Sequence, residues 1–169
     1  MTSSARPPVL ERFLRYAVLD TQSDRESTAA PSSEKQLRLA ELLVEELREL
    51  GVADARIGRG GVVYGSLPAS AGCESAPAIG FVAHMDTSPD APGANVKPHI
   101  LRYEGGDVVL NEALGIRFEA ERFPEIRKYA GEDVVFTDGT TLLGADDKAG
   151  IAAIVEMVAR IQADPSIPH

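Results

Sequence analysis

The sequence predicts an α/β fold, a three-layer sheet sandwich with helices on both faces. Three observations carry that expectation. Apolar residues recur at helical spacing over Leu37–Leu50 and again over Lys148–Gln162. Between those segments lies a short continuous apolar run, Ala78–Ala83, of the kind that suits a strand buried on both faces. Helices and short strands alternate along the chain rather than segregating into blocks.

The elements follow in order. Val9–Leu19 reads as a short amphipathic helix with Leu10, Phe13, Leu14 and Ala17 on one side. Asp20–Ser33 is polar and irregular, a loop. Ser33 stands where an N-cap belongs and Gln36 three residues on, which predicts a capping box for the second helix. Its apolar stripe is Leu37, Ala40, Leu43, Val44, Leu47 and Leu50, and Gly51 ends it. Ala53–Ile57 and Val62–Leu67 flank Gly58-Arg59-Gly60-Gly61 and predict a hairpin. A phosphate-cradling loop is a poorer reading of those glycines, because no helix follows them. Residues 90–132 are the least regular part, an excursion from the main sheet within one domain spanning 1–169. A small hairpin of Ile100–Tyr103 with Val108–Leu110 is expected there, turning at Gly105-Gly106-Asp107. Val134–Phe136 and Thr141–Leu143 are further extended pieces. The last helix, Lys148–Gln162, buries Ile151, Ile154, Val155, Val158 and Ile161, and Pro165 and Pro168 stop it.

The chain has 169 residues, 44% of them hydrophobic, with no Trp, so it can bury an aliphatic core. A net charge of −9 argues against nucleic acid or an anionic membrane as partner. The single cysteine, Cys73, excludes an internal disulfide and sits in a Pro/Ala/Ser/Gly stretch. Met1–Pro8 has no hydrophobic signal region and no apolar run approaches a membrane span, so cytoplasm is the expected compartment.

Two motifs carry chemistry. In Ala83-His84-Met85-Asp86-Thr87, a strand delivers His84 to its carboxyl end, where sites form in open α/β sheets. A neutral imidazole is a good zinc ligand, and its second nitrogen needs an orienting acceptor. Asp86, two residues on, is on the same side of an extended segment. In Gly144-Ala145-Asp146-Asp147-Lys148, carboxylates meet the positive end of a helix and stay ionised. They suit a divalent metal or a helix cap equally well. Each motif alone has a bland explanation, and the pairing is what matters. Thr140, Thr141 and Lys148 read as structural, His99 as a surface residue, His169 as a terminal one without a partner, and Glu45-Glu46 as a solvated face.

Ala83–Asp90 and Thr137–Ala152 resemble the peptidase T group of tripeptide aminopeptidases, within the wider family of di-zinc exopeptidases and deacylases. Asp20-Thr21-Gln22-Ser23, Val96-x-Pro98, Tyr103-x-Gly105-Gly106-Asp107 and Phe123-Pro124 add to the match, which runs from about Leu10 to the last residue. The resemblance implies a three-layer α/β/α sandwich of the zinc-peptidase type. It implies His84 as ligand to one zinc, Asp146 as the carboxylate bridging two, Asp86 as the catalytic acid that fixes the site, and a supporting role for Asp147. Two zinc ions serve a complete site, and this chain supplies part of their ligands. The proton-accepting glutamate, the remaining ligands and the lid domain all come later in the family's chains. The chain therefore resembles the N-terminal part of a catalytic domain, inactive alone. The implied partners are a tripeptide substrate and either a second copy of the chain or a C-terminal half. A related amino-acid deacylase or carboxypeptidase, and a non-catalytic fragment that binds a partner, are the alternatives.

Overall fold

A computed structural model describes residues 6–169. The Met1–Ala5 part of the N-terminal reading lies outside the described residues. The architecture is mixed α/β: three main helices and three small two-stranded antiparallel sheets.

Helix α1, Pro8–Ala17, starts on a proline, whose fixed φ and missing N–H suit the first helical position. Phe13, Tyr16 and Ala17 are buried. Helix α2, Gln36–Glu49, buries Leu39, Ala40, Leu43 and Val44. The expected capping box does not form. Lys35 already has helical dihedrals, and the Ser33 carbonyl, rather than its hydroxyl, accepts the Gln36 N–H. The Gln36 amide turns instead to Ser32. At the other end the expected stop holds. Gly51, at φ +88°, donates to the Arg48 carbonyl while Val52 donates to that of Leu47, the paired bonds of a Schellman ending.

Helix α3, Ala145–Ala163, takes regular helical dihedrals only past Asp147. It lays Ile151, Ala152 and Val155 against Phe13, Tyr16 and Ala17 of α1 and Leu39 and Leu43 of α2. Val158 closes a second cluster with Val44, Val52 and Ala55. Burying a side chain the size of Leu39 contributes about 1.5–3 kcal/mol.

Glu46 corrects the expectation of a solvated Glu45-Glu46 face. It is buried, and its Oε2 accepts the Tyr16 hydroxyl at 2.5 Å while Oε1 meets Arg15 at 2.7 Å and Arg12 at 3.3 Å. Burial and the neighbouring carboxylate push the Tyr16 hydroxyl well above its ordinary pKa.

The strands depart most from expectation. β1, Arg56–Ile57, and β2, Val63–Tyr64, form the expected hairpin across the Gly58–Gly61 turn, though shorter than predicted. The expected pairing of residues 100–103 with 108–110 is replaced. β3, His99–Tyr103, pairs with β6, Glu132–Phe136, while β4, Val108–Asn111, pairs with β5, Ile116–Phe118. The β3–β6 ladder sets Ile100 opposite Val135 and Leu101 opposite Val134, cross-strand apolar pairs that stabilise a sheet. Phe118 then packs edge-on against Phe136, tying the β4–β5 hairpin to that ladder. Thr141–Leu143 forms no strand, and Leu142 donates instead to the Pro92 carbonyl.

Ala78–Ala83 is neither a strand nor buried. Ile79 is 78% exposed, Phe81 57% and Val82 94%. A strand exists only through its neighbours' hydrogen bonds, and no described strand lies beside this run. Among the described residues no helix is long and apolar enough to cross a membrane.

Glu46→Ala leaves Arg12 and Tyr16 facing a buried void. The expected outcome is a loss of about 3–5 kcal/mol, because breaking a buried ion pair strands its partners. A chemical denaturation midpoint checks it. A loss below about 1 kcal/mol is the value of a surface pair and contradicts the assignment.

Candidate metal centre

The two motifs meet. His84 lies at the end of the Ala78–Ala83 run and Asp146 in the turn entering α3, 62 residues apart in sequence. The His84 Nε2 stands 2.9 Å from Asp146 Oδ1. On the other side of the ring, Nδ1 is 3.1 Å from the Asp86 carbonyl and 3.2 Å from Asp86 Oδ1. The imidazole thus sits between two carboxylates, as the pairing of the motifs predicts. Desolvation works against its charged form. The hydrogen bond to Asp146 and the contacts with Asp86 outweigh that, so the His84 pKa is raised above its ordinary 6.5.

Backbone pairing fixes the loop that carries His84 and Asp86. Thr87 donates its N–H to the Thr21 carbonyl and accepts the Ser23 N–H, making a parallel bridge between Gln22 and Thr87. Asp20 Oδ1 accepts the Gln22 N–H and its Oδ2 meets Lys35 at 2.8 Å. The turn carrying Asp146 closes on the same junction. Gly144 has φ +72°, and a Cβ there would stand 3.1 Å from Thr87 Cγ2. This glycine permits both the left-handed backbone and the close approach.

Asp147 points away from the pair. Its Oδ1 accepts the Gly150 N–H at 3.1 Å, the bond an N-cap makes to the third helical residue. A Cβ on Gly150 would collide with that carboxylate, so glycine there makes room for the cap. Asp138 also turns elsewhere. It accepts from Thr140 and from Lys97, whose hydrogen bonds hold it well below the usual carboxylate range. It therefore belongs to its own turn.

Sequence reasoning passed over the burial of Lys148, which is 1% exposed and donates to the Leu19 carbonyl at 2.7 Å. Burial lowers its pKa to about 8, against the opposing pull of Asp20. A signal for this exists in the sequence: Lys148 stands three residues before Ile151 and seven before Val155, on the buried stripe of α3. His99 lies on β3 near Phe136, with ring centroids 6.5 Å apart, and the backbone of His169 pairs with Ser70. Neither approaches the His84 pair through a recorded bond. Cys73 is a free thiol.

The donor chemistry fits part of a divalent metal site. One imidazole nitrogen and one carboxylate oxygen converge, and a second carboxylate orients the ring. Among the described residues no group of three or more His, Cys, Asp or Glu is disposed to hold a metal ion.

No family model matches the chain. Curated proteins do. Peptidase T of Desulfitobacterium hafniense strain Y51 is 54% identical over 162 residues, covering 95% of this chain and 39% of that protein. The chain is homologous to peptidase T. Peptidase T of Clostridium acetobutylicum is 49% identical over 162 residues, and that of Aliivibrio salmonicida 48% over 161. The chain spans about two fifths of the length of the peptidase T relatives it matches.

Two outcomes test this geometry. In the metal-free chain the folded His84 pKa is raised, so its contribution to stability is complete below about pH 6.5 and lost as pH rises through the folded value. A ring titration followed by NMR is expected to show a midpoint above 6.5 that falls in Asp146→Asn. An unchanged midpoint breaks the pairing. Asp147→Ala is expected to cost about 1 kcal/mol, as loss of a cap does, with zinc affinity unchanged. Loss of zinc binding with unchanged stability makes Asp147 a ligand instead.

Proposed function

We propose that this chain forms the N-terminal part of the catalytic domain of a zinc-dependent tripeptide aminopeptidase of the peptidase T kind. The observation that carries the reading is the 2.9 Å approach of His84 Nε2 to Asp146 Oδ1, made by motifs remote in sequence. Homology over 95% of the chain to proteins named peptidase T supports it. In this reading His84 and Asp146 would hold the metal, and Asp86 would be the acid that holds the His84 ring.

When bound, zinc supplies an acidified water and polarises the scissile carbonyl of the peptide. His84 would offer Nε2 to a metal as the neutral imidazole, which requires that nitrogen to give up the proton it shares with Asp146. Asp86 accepts the Nδ1 proton, which fixes the ring tautomer and strengthens Nε2 as a donor. Asp146 contributes a carboxylate from the first turn of α3.

The same reading places the chain in one layer system of a three-layer α/β/α sandwich, with residues 90–132 as an excursion from its sheet. Support comes from the exposed run Ile79–Val82, of which Phe81 and Val82 line an open groove of about 520 Å³ whose other walls include Leu43, Leu47, Val63 and Ile151. An extended segment laid there satisfies the free backbone of 78–83 and ends beside His84. That segment comes from a C-terminal half or from a second copy of the chain. The exposed run also favours a second reading, in which the chain only binds a partner through this face. Cytoplasm is the proposed compartment.

Because the ligand set is partial, the 169-residue chain alone is proposed to turn over no tripeptide. Calorimetric titration of the metal-stripped chain with zinc tests this. Weak binding, below one zinc per chain and abolished by Asp146→Ala, is the expected result. Two tightly held zinc ions with tripeptide turnover overturn the partial site. No binding at all leaves the partner-binding reading in its place.

A further inference from the structure

We propose that Lys148 is the positioning residue of the metal centre: its buried side chain locks the Leu19–Ser23 segment, and through it the His84 loop, against the turn that carries Asp146. The inference rests on the metal-centre reading above.

Three segments far apart in sequence converge at one point. The first is Leu19–Ser23. Its Leu19 carbonyl accepts the Lys148 ammonium at 2.7 Å, and its Thr21 carbonyl accepts the Thr87 N–H at 3.1 Å. The second is His84–Thr87, which carries the imidazole and Asp86. The third is Gly144–Lys148, which carries Asp146. Gly144 is packed against both Thr87 and Lys148. A Cβ built on it would stand 3.1 Å from Thr87 Cγ2 and 3.6 Å from Lys148 Nζ. Lys148 is therefore covalently two residues from one proposed ligand, and linked through Leu19–Thr21 and Thr87 to the loop bearing the other.

The chemistry of the tie argues against a purely structural purpose. An ammonium taken out of water with a single recorded acceptor costs stability, and an unbranched apolar side chain of similar volume fills the same space more cheaply. Packing alone does not select a lysine here. A directed bond to one backbone carbonyl does, because it sets where Leu19–Ser23 sits. Residues that orient metal ligands from behind typically change metal affinity 10–100-fold when replaced.

The test uses the 169-residue chain and Lys148→Met, which keeps the volume and removes the bond. Ile151→Ala serves as a control that weakens α3 without touching the tie. The measurements are thermal unfolding, zinc affinity by calorimetry, and the ¹⁵N shifts of the His84 ring in the metal-free chain at fixed pH. Asp146→Asn calibrates the shift produced by losing the Asp146 bond. The expected result is that Lys148→Met stays folded, with a melting temperature at or above the parent, and binds zinc at least tenfold more weakly. Its His84 shifts move toward those of Asp146→Asn. Ile151→Ala melts lower and keeps the parent's zinc affinity and ring shifts. Three results overturn the proposal: parental affinity and shifts in Lys148→Met, an equal loss of affinity in Ile151→Ala, or failure of Lys148→Met to fold, which makes the lysine a folding residue. If the parent chain binds no zinc, the metal reading fails separately and the ring shifts still decide whether Lys148 positions His84.

Discussion

The carboxylate of Glu46 is the point on which the helical layer turns. It comes from α2 and receives the Tyr16 hydroxyl, Arg12 and Arg15 from α1. Arg12 extends to Glu156 of α3 at 3.9 Å. A buried charge tolerates few geometries, because each unsatisfied oxygen or proton costs more than an apolar mismatch. The apolar contacts among Phe13, Leu39, Leu43, Ile151 and Val155 supply most of the burial, but greasy surfaces slide at small cost. The Glu46 cluster removes that freedom. It fixes the azimuth of α1 against α2, and α3, which carries Asp146, Asp147 and Lys148 in its first turns, is seated on that pair by the apolar contacts of Ile151, Ala152 and Val155.

The site is made by segment ends rather than segment interiors. His84 follows an extended run, Asp146 lies in the irregular first turn of α3, and a parallel bridge between Gln22 and Thr87 brings an otherwise unrelated loop beneath them. In this arrangement the two carboxylates flanking His84 favour its charged form. Asp147 is next in sequence to Asp146 and yet serves the helix. Its bond to Gly150 satisfies one of the free N–H groups at the α3 N-terminus and leaves Asp146 alone to face His84.

Much of this was legible in the residues. The Gly51 ending depends on local geometry alone and is found where a left-handed glycine places it; the α2 stripe is found at Ala40, Leu43 and Val44, but its buried face is shifted to include Leu39, with Leu37, Leu47 and Leu50 only partly covered. The juxtaposition of His84 with Asp146 was legible from two motifs, neither of which is decisive separately. What local reasoning lost was partner choice. Residues 100–103 had a near neighbour in 108–110 and took a distant one in 132–136, because the longer ladder pairs more apolar side chains. The capping box at Ser33 failed because a turn at 33–35 met the helix first with backbone groups. Glu46 was misjudged because charge suggested solvent, whereas its position on the buried face of α2 pointed inward. The run 78–83 reads as an interior strand because its composition is suited to one. Composition records the environment a segment is made for, while burial in the structure depends on which neighbours are there.

The two buried charges differ in a way that bears on what each does. Glu46 has two hydrogen-bond donors and a third cation from a facing helix, so its burial is compensated and its removal disrupts a network. Lys148 has one recorded acceptor, the Leu19 carbonyl, with Asp20 near enough to favour its charge, and burial still drags its pKa down to about 8. A residue under net electrostatic stress at a helix start is not explained by the stability it brings, since it brings little. It is explained by what it holds in place. The segment it grips is bonded to the His84 loop, and the helix it grows from carries Asp146 in its first turn. Stress accepted at one buried side chain thus fixes the distance between two groups that lie on separate, solvent-facing turns and have no core of their own to hold them.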